Sequence, residues 1–177
     1  MNRMYRGIFV MALATAWLPL AIAQDGIIDA TSRVDVDVAD IGQMREVKHQ
    51  HGTRKLDTTR AIQALASWLQ SEAERRLPAD QRLHITLRDV DLAGEYEPTS
   101  SLMNDIRVIK DIYPPRIELD YRLTDAAGTV LSEGDATLRD IGFLQKSDTK
   151  INDPLRFEKR MLGNWLRGIA HTSDEHS

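Results

Sequence analysis

Four carboxylates crowd one short stretch of the chain: Asp89, Asp91, Glu95 and Glu97. Paired carboxylates can hold a hard divalent cation or divide general acid and general base roles between them. Asp89 and Asp91 share one face if a single strand runs through both. The same acids can equally form a solvated edge or pair with Arg88, Arg107 or Arg116. A second group, Tyr113-Pro114-Pro115-Arg116, joins a stiff turn to two residue types favoured at binding hot spots. It reads as a surface for a protein partner or as a rigid turn, and both can hold.

Histidine offers less. His49 and His51 flank Gln50, and two imidazoles in one loop could hold a transition metal if a third ligand such as His84 joined them. Solvated loop histidines are the plainer reading, so no metal ligand and no cofactor is assigned. There is no cysteine, no G-x-S-x-G elbow and no Gly-rich phosphate loop. Ser100 and Ser101 lie in a polar loop without a histidine nearby in sequence. No catalytic residue is assigned.

These groups need a scaffold, and the first question is how much of the chain supplies it. Arg3 and Arg6 precede an apolar run from Gly7 to Leu20, and Ala21-Ile22-Ala23 follows with small residues at the cleavage positions. That is the pattern of a secretory signal peptide over residues 1–23. The run is short for a membrane span and ends in a cleavage site, so no anchor is expected once it is removed. The 154 residues beyond Ala23 then carry 21 basic and 27 acidic side chains, a net charge of −6. The signs are mixed and no basic block stands out, which argues against nucleic acid and anionic membranes as partners. Export permits disulfides but none can form, so the core alone must hold the fold.

Val34, Val36 and Val38 alternate with Asp35 and Asp37, the period of a half-buried strand. Asp40–Lys55 is polar and reads as a loop. Asp57 is expected to N-cap a helix from Thr58 to Leu77, with Ile62, Leu65, Leu69 and Ala73 as its stripe and Pro78 as its stop. Leu83, Ile85 and Leu87 alternate, then the phase slips to Val90 and Leu92. A bulge near Arg88–Asp89 repairs that slip. Ile106–Ile112 suggests a weak strand. Ile117, Leu119, Tyr121 and Leu123 define a clear one, which turns at Asp125–Gly128 into Thr129–Arg139 with Val130, Ala136 and Leu138 inward.

Asp153 and Pro154 open a last helix whose stripe is Leu155, Leu162, Leu166 and Ile169, widened by Phe157, Met161 and Trp165. Glu158 can pair locally along it. Residues 171–177 are expected as a disordered tail. The fold expected is α+β: one domain over residues 24–170, a two-layer sandwich with a mostly antiparallel sheet of four to five strands and two helices packed on one face.

DVDLAGEYEP (89–98), RVIKDIYPPRIELDYRLTD (107–125) and DPLRFEKRML (153–162) together resemble an uncharacterised family of exported Gram-negative proteins, domain of unknown function family 3016. The resemblance covers Val34–Trp165 and departs at Asp40–Lys55, which lacks the aromatic residues expected there. It implies export and one compact domain, and brings no reaction, substrate or site residue. With no catalytic signature, the sequence points to a non-enzymatic periplasmic module. It would bind a protein partner or envelope component through Asp91–Glu97 and Tyr113–Arg116. The competing reading is a small hydrolase or cation-binding protein using the Asp89–Glu97 carboxylates.

Overall fold

The computed structural model describes residues 32–48, 50–96, 107–145 and 152–174. The expected signal peptide, Glu97, His49, Ser100 and Ser101 lie outside these residues. The elements are β1 (Val34–Val38), α1 (Gly52–Arg76), β2 (Gln81–Asp91), β3 (Arg116–Asp125), β4 (Val130–Arg139) and α2 (Arg156–Asp174). The fold is α+β.

The four strands form one sheet in the order β1-β2-β3-β4. The β2–β3 and β3–β4 pairings are antiparallel, but β1 runs parallel to β2. The sheet is therefore mixed. α1 is the cause: it carries the chain back to the end where β1 began, the crossover a parallel pair requires. No fifth strand forms among the described residues. In its place Val108 makes one isolated bridge to Glu95, and the chain turns where the Tyr113 amide donates to the Lys110 carbonyl at 3.0 Å. The two prolines that follow have no N–H for a ladder.

One face of the sheet is apolar. Leu83, Ile85, Leu87, Val90, Ile117, Leu119 and Leu123 meet Ile62, Leu65, Leu69 and Ala73 of α1 and Leu162, Leu166 and Ile169 of α2 in a single buried cluster. Trp165 is half-buried and packs edge-on against Tyr121, ring centres 5.6 Å apart. The other face carries charged side chains.

The expected bulge is present: Leu87 faces Leu119 and Asp89 faces Glu118, leaving Arg88 as the extra residue. A second bulge lies in β4. Leu123 faces Ser132 and Thr124 faces Val130, so Leu131 is extra. That slip turns Val130 outward, 40% exposed, whereas the sequence pattern placed it inward.

The start of α1 also differs. The helix begins at Gly52, where φ is +60°, and its N-cap His51 makes no side-chain cap. Asp57 sits inside the helix and pairs with Arg60 at 3.3 Å. Arg54, Lys55 and Leu56 are good helix formers, so nothing delays the helix to Asp57. The stretch before it is not a plain polar loop. It holds a 3₁₀ turn at Ile41–Gln43 and buries Met44, Glu46 and Val47. α2 opens as expected, with Asp153 Oδ1 accepting from the Leu155 amide at 2.9 Å. It stays helical through Asp174, so residues 171–174 extend the helix where a disordered tail was expected.

Candidate functional site

β2 ends at Asp91, and the next three residues are held from several sides. Glu46 Oε2 accepts the Leu92 amide at 3.0 Å, and Glu158 Oε1 accepts the Ala93 amide at 2.7 Å. The Gly94 amide donates to the Tyr113 carbonyl at 3.0 Å. Arg107 donates to the carbonyls of Leu92, Ala93 and Gly94 at 3.2, 3.2 and 2.9 Å, and pairs with Glu46. Gly94 has φ +88°, and a Cβ there would lie 2.7 Å from the Val108 carbonyl oxygen. Only glycine fits that approach at that φ. The three segments that carry the family resemblance thus supply every member of this clamp except Glu46.

Burial sets the charge state of its acids. Desolvation pushes Glu46 up to about 7, opposed by Arg107 and the Leu92 amide and reinforced by Asp91 and Glu95. Asp91 is raised chiefly by burial, against the pull of Arg45 and of a hydrogen bond to Glu46. Each of these carboxyl groups raises the proton affinity of its neighbours when it is charged, so burial and mutual repulsion together favour a protonated acid at this end of β2. Glu158, 1% exposed, is also raised by burial, and its Oε2 has no hydrogen-bond partner among the described residues.

The clamp aims Asp91 and Glu95 into two neighbouring cavities. One, of about 180 Å³, is lined also by Arg45, Tyr113, Pro114, Arg116 and Arg139. The other, of about 320 Å³, adds Glu46, Gln50, Arg54 and Tyr96 to Arg45 and the two acids. The guanidinium groups of Arg54 and Arg107 lie 5.4 and 4.9 Å from the Tyr96 ring centre. Arg116 stands directly opposite Arg139 across β3 and β4. Arg116 pairs with Glu118, whereas Arg139 has no acidic partner among the described residues. Like charges directly opposite in a sheet repel. At this end of the sheet Ile112 and Ile141 are 66% and 70% exposed, and the Asp140 amide donates to the Pro115 carbonyl at 3.3 Å.

Of the candidate residues read from sequence, Asp91, Glu95, Tyr113 and Arg116 therefore line one cavity. Asp89 lies apart from it. Its Oδ1 accepts the Arg45 amide at 2.7 Å, and it lines a separate open hollow with Asp40, Gln43, Lys48 and Arg88. Glu97 is outside the described residues.

Sequence reasoning missed Arg45, Glu46, Arg139 and Glu158 as members of this region, and it named Arg107 only as a partner for the Asp89–Glu97 acids, whereas Arg107 pairs with Glu46. Glu158 is buried against the end of β2 and does not pair along its helix. A signal existed, since Glu158 sits between Leu155 and Leu162 at the spacing of the apolar stripe. Glu46 carried only a weak signal, its position between Met44 and Val47. The histidines do not gather: among the described residues His51 joins no cluster with His84.

The chain matches the family described as Protein of unknown function (DUF3016) over residues 32–168, and it belongs to that family. No curated protein matches. Among solved structures, the crystal structure of protein XCC0632 from Xanthomonas campestris, of family DUF330, is similar. It is 16% identical, with 81% of this chain and 86% of that chain covered and a TM-score of 0.39.

Proposed function

We propose that this protein is a non-enzymatic, exported binding module that holds a protein partner of the cell envelope at the Arg116–Arg139 end of its sheet. One observation carries the reading. Asp91, Glu95, Tyr113 and Arg116, drawn from separate segments, line one cavity beside Arg139, a guanidinium without an acidic partner among the described residues. Exposed Ile112 and Ile141 lie at the same end of the sheet. Apolar side chains beside an uncompensated arginine suit a partner that presents an acidic side chain between apolar ones. The net charge of −6 expected after cleavage disfavours nucleic acid. The periplasm as location rests on the leader pattern of residues 1–23.

The test is cross-linked capture of the tagged protein from its own periplasm, with Arg116→Ala, Arg139→Ala and Glu95→Gln variants beside it. A dominant partner lost with these variants supports the module and its surface. An identical set of captured proteins with all of them overturns it.

A second reading, a small hydrolase, is favoured by the Glu46–Asp91 pair. Two burial-raised carboxyl groups beside a cavity of about 320 Å³ suit general acid–base chemistry. The arginines around that pair make it a poor cradle for a hard cation. Hydrolysis of an ester or glycoside panel that is lost in Asp91→Asn would favour this reading, and no turnover would remove it.

A further inference from the structure

We propose that Asp35, Asp37 and His84 form a binding site for a divalent transition-metal ion of the zinc type on the charged face of the sheet. Asp35 and Asp37 alternate on β1 and therefore project from the same face, and His84 is the parallel-strand partner of Asp35. The imidazole lies between the carboxylates, with Nδ1 3.4 Å from Asp35 Oδ2 and Nε2 3.8 Å from Asp37 Oδ2. One ligand atom from each of the three residues falls within 4.8 Å of the others. Ligands held about 2.0–2.2 Å from one ion stand roughly 3–4.4 Å apart, so the set closes when the exposed imidazole turns one nitrogen toward both carboxylates, leaving the contact of its Nε2 with Thr86 Oγ1 at 3.4 Å.

Two features separate this group from a plain acidic patch. It contains an imidazole, the donor that favours zinc, copper or nickel over calcium and magnesium. Its carboxylates also lack basic partners other than the histidine. On the neighbouring strands Asp120 faces Arg88 at 3.3 Å and Glu133 faces Arg122 at 2.9 Å. Asp35 and Asp37 have neither an arginine nor a lysine partner among the described residues. Arg122, the residue opposite His84 on β3, is taken up by Glu133. A rigid sheet holds the three side chains in register, and their exposure leaves further coordination positions to water.

The site is distinct from the Asp91–Arg139 region and does not depend on the reading of that region. The experiment is calorimetric titration of Zn²⁺ into the tag-free, chelator-treated protein, with melting curves alongside. The expected result is one saturable site per chain and a melting rise of roughly 5–10 °C with zinc at a hundredfold its Kd. Both are lost in His84→Ala and weakened at least tenfold in Asp37→Asn, and both are kept in His49→Ala/His51→Ala and in His171→Ala/His176→Ala. All the substituted side chains of the site are exposed, so these variants are expected to fold. Absence of a saturable site, or binding that survives His84→Ala or disappears with the other histidines, overturns the proposal.

Discussion

Glu46 and Glu158 accept the amide protons of consecutive residues, Leu92 and Ala93, from opposite ends of the chain. Both acids are buried, and burial raises the proton affinity of each. The end of β2, from which Asp91 and Glu95 project, is thus pinned by two carboxyl groups whose charge state depends on pH.

That pinning predicts a falling stability profile. The carboxyl of Glu46 titrates at about 7 in the folded chain against an ordinary 4.5. Between those values the folded state binds more protons than the unfolded one, so its contribution is full below 4.5 and is lost as pH rises toward 7. The loss is on the order of 3 kcal/mol for Glu46 together with its neighbour Asp91, and Glu158 adds in the same direction. Urea midpoints measured from pH 4.5 to 7.5 should fall, and Glu46→Gln should flatten the slope. A midpoint that rises over this range would contradict the assignment.

Arg107 should be the most sensitive single position. Removing it orphans three carbonyl groups and leaves Glu46 buried without its cation. Arg107→Met should cost about 3–5 kcal/mol in chemical denaturation. Arg107→Lys should recover little, because one ammonium cannot copy the planar fork that reaches all four oxygens.

Two glycines separate space from backbone strain. Gly94 and Gly128 share nearly the same φ, +88° and +87°, but only at Gly94 would a Cβ meet neighbours, with Ile109 Cδ1 at 2.5 Å. Gly128→Ala should cost about 1 kcal/mol. Gly94→Ala should cost about 3 kcal/mol, because it adds a steric clash with backbone to the same strain. Equal melting shifts for the two would count against the clamp geometry.

Arg139→Ala should leave stability unchanged within about 0.5 kcal/mol, or raise it slightly, by relieving repulsion from Arg116. Loss of partner capture without loss of melting temperature would mark Arg139 as a recognition residue. A large fall in melting temperature would show instead that its side chain supports the fold.

The elements were legible where the pattern is local. The alternation of β1, β2 and β3, the bulge at Arg88, and the apolar stripes of α1 and α2 follow from spacing within one segment, because side-chain direction repeats every two or 3.6 residues. The acidic end of β2 and the Tyr113–Arg116 turn could be picked out as candidates for the same reason. What they face could not.

The sequence by itself determined which residues turn inward along most elements, the α+β class and the places where chemistry was possible. Only the tertiary structure decided that β1 runs parallel to β2, that Leu131 bulges and turns Val130 outward, and that Asp35, Asp37 and His84 share one patch. It alone decided that Glu46 and Glu158 meet at the Leu92–Gly94 turn with Arg107. Strand direction, cross-strand register and desolvation all depend on residues far apart in the chain, and a carboxylate reads the same in sequence whether water or a buried amide will be its partner.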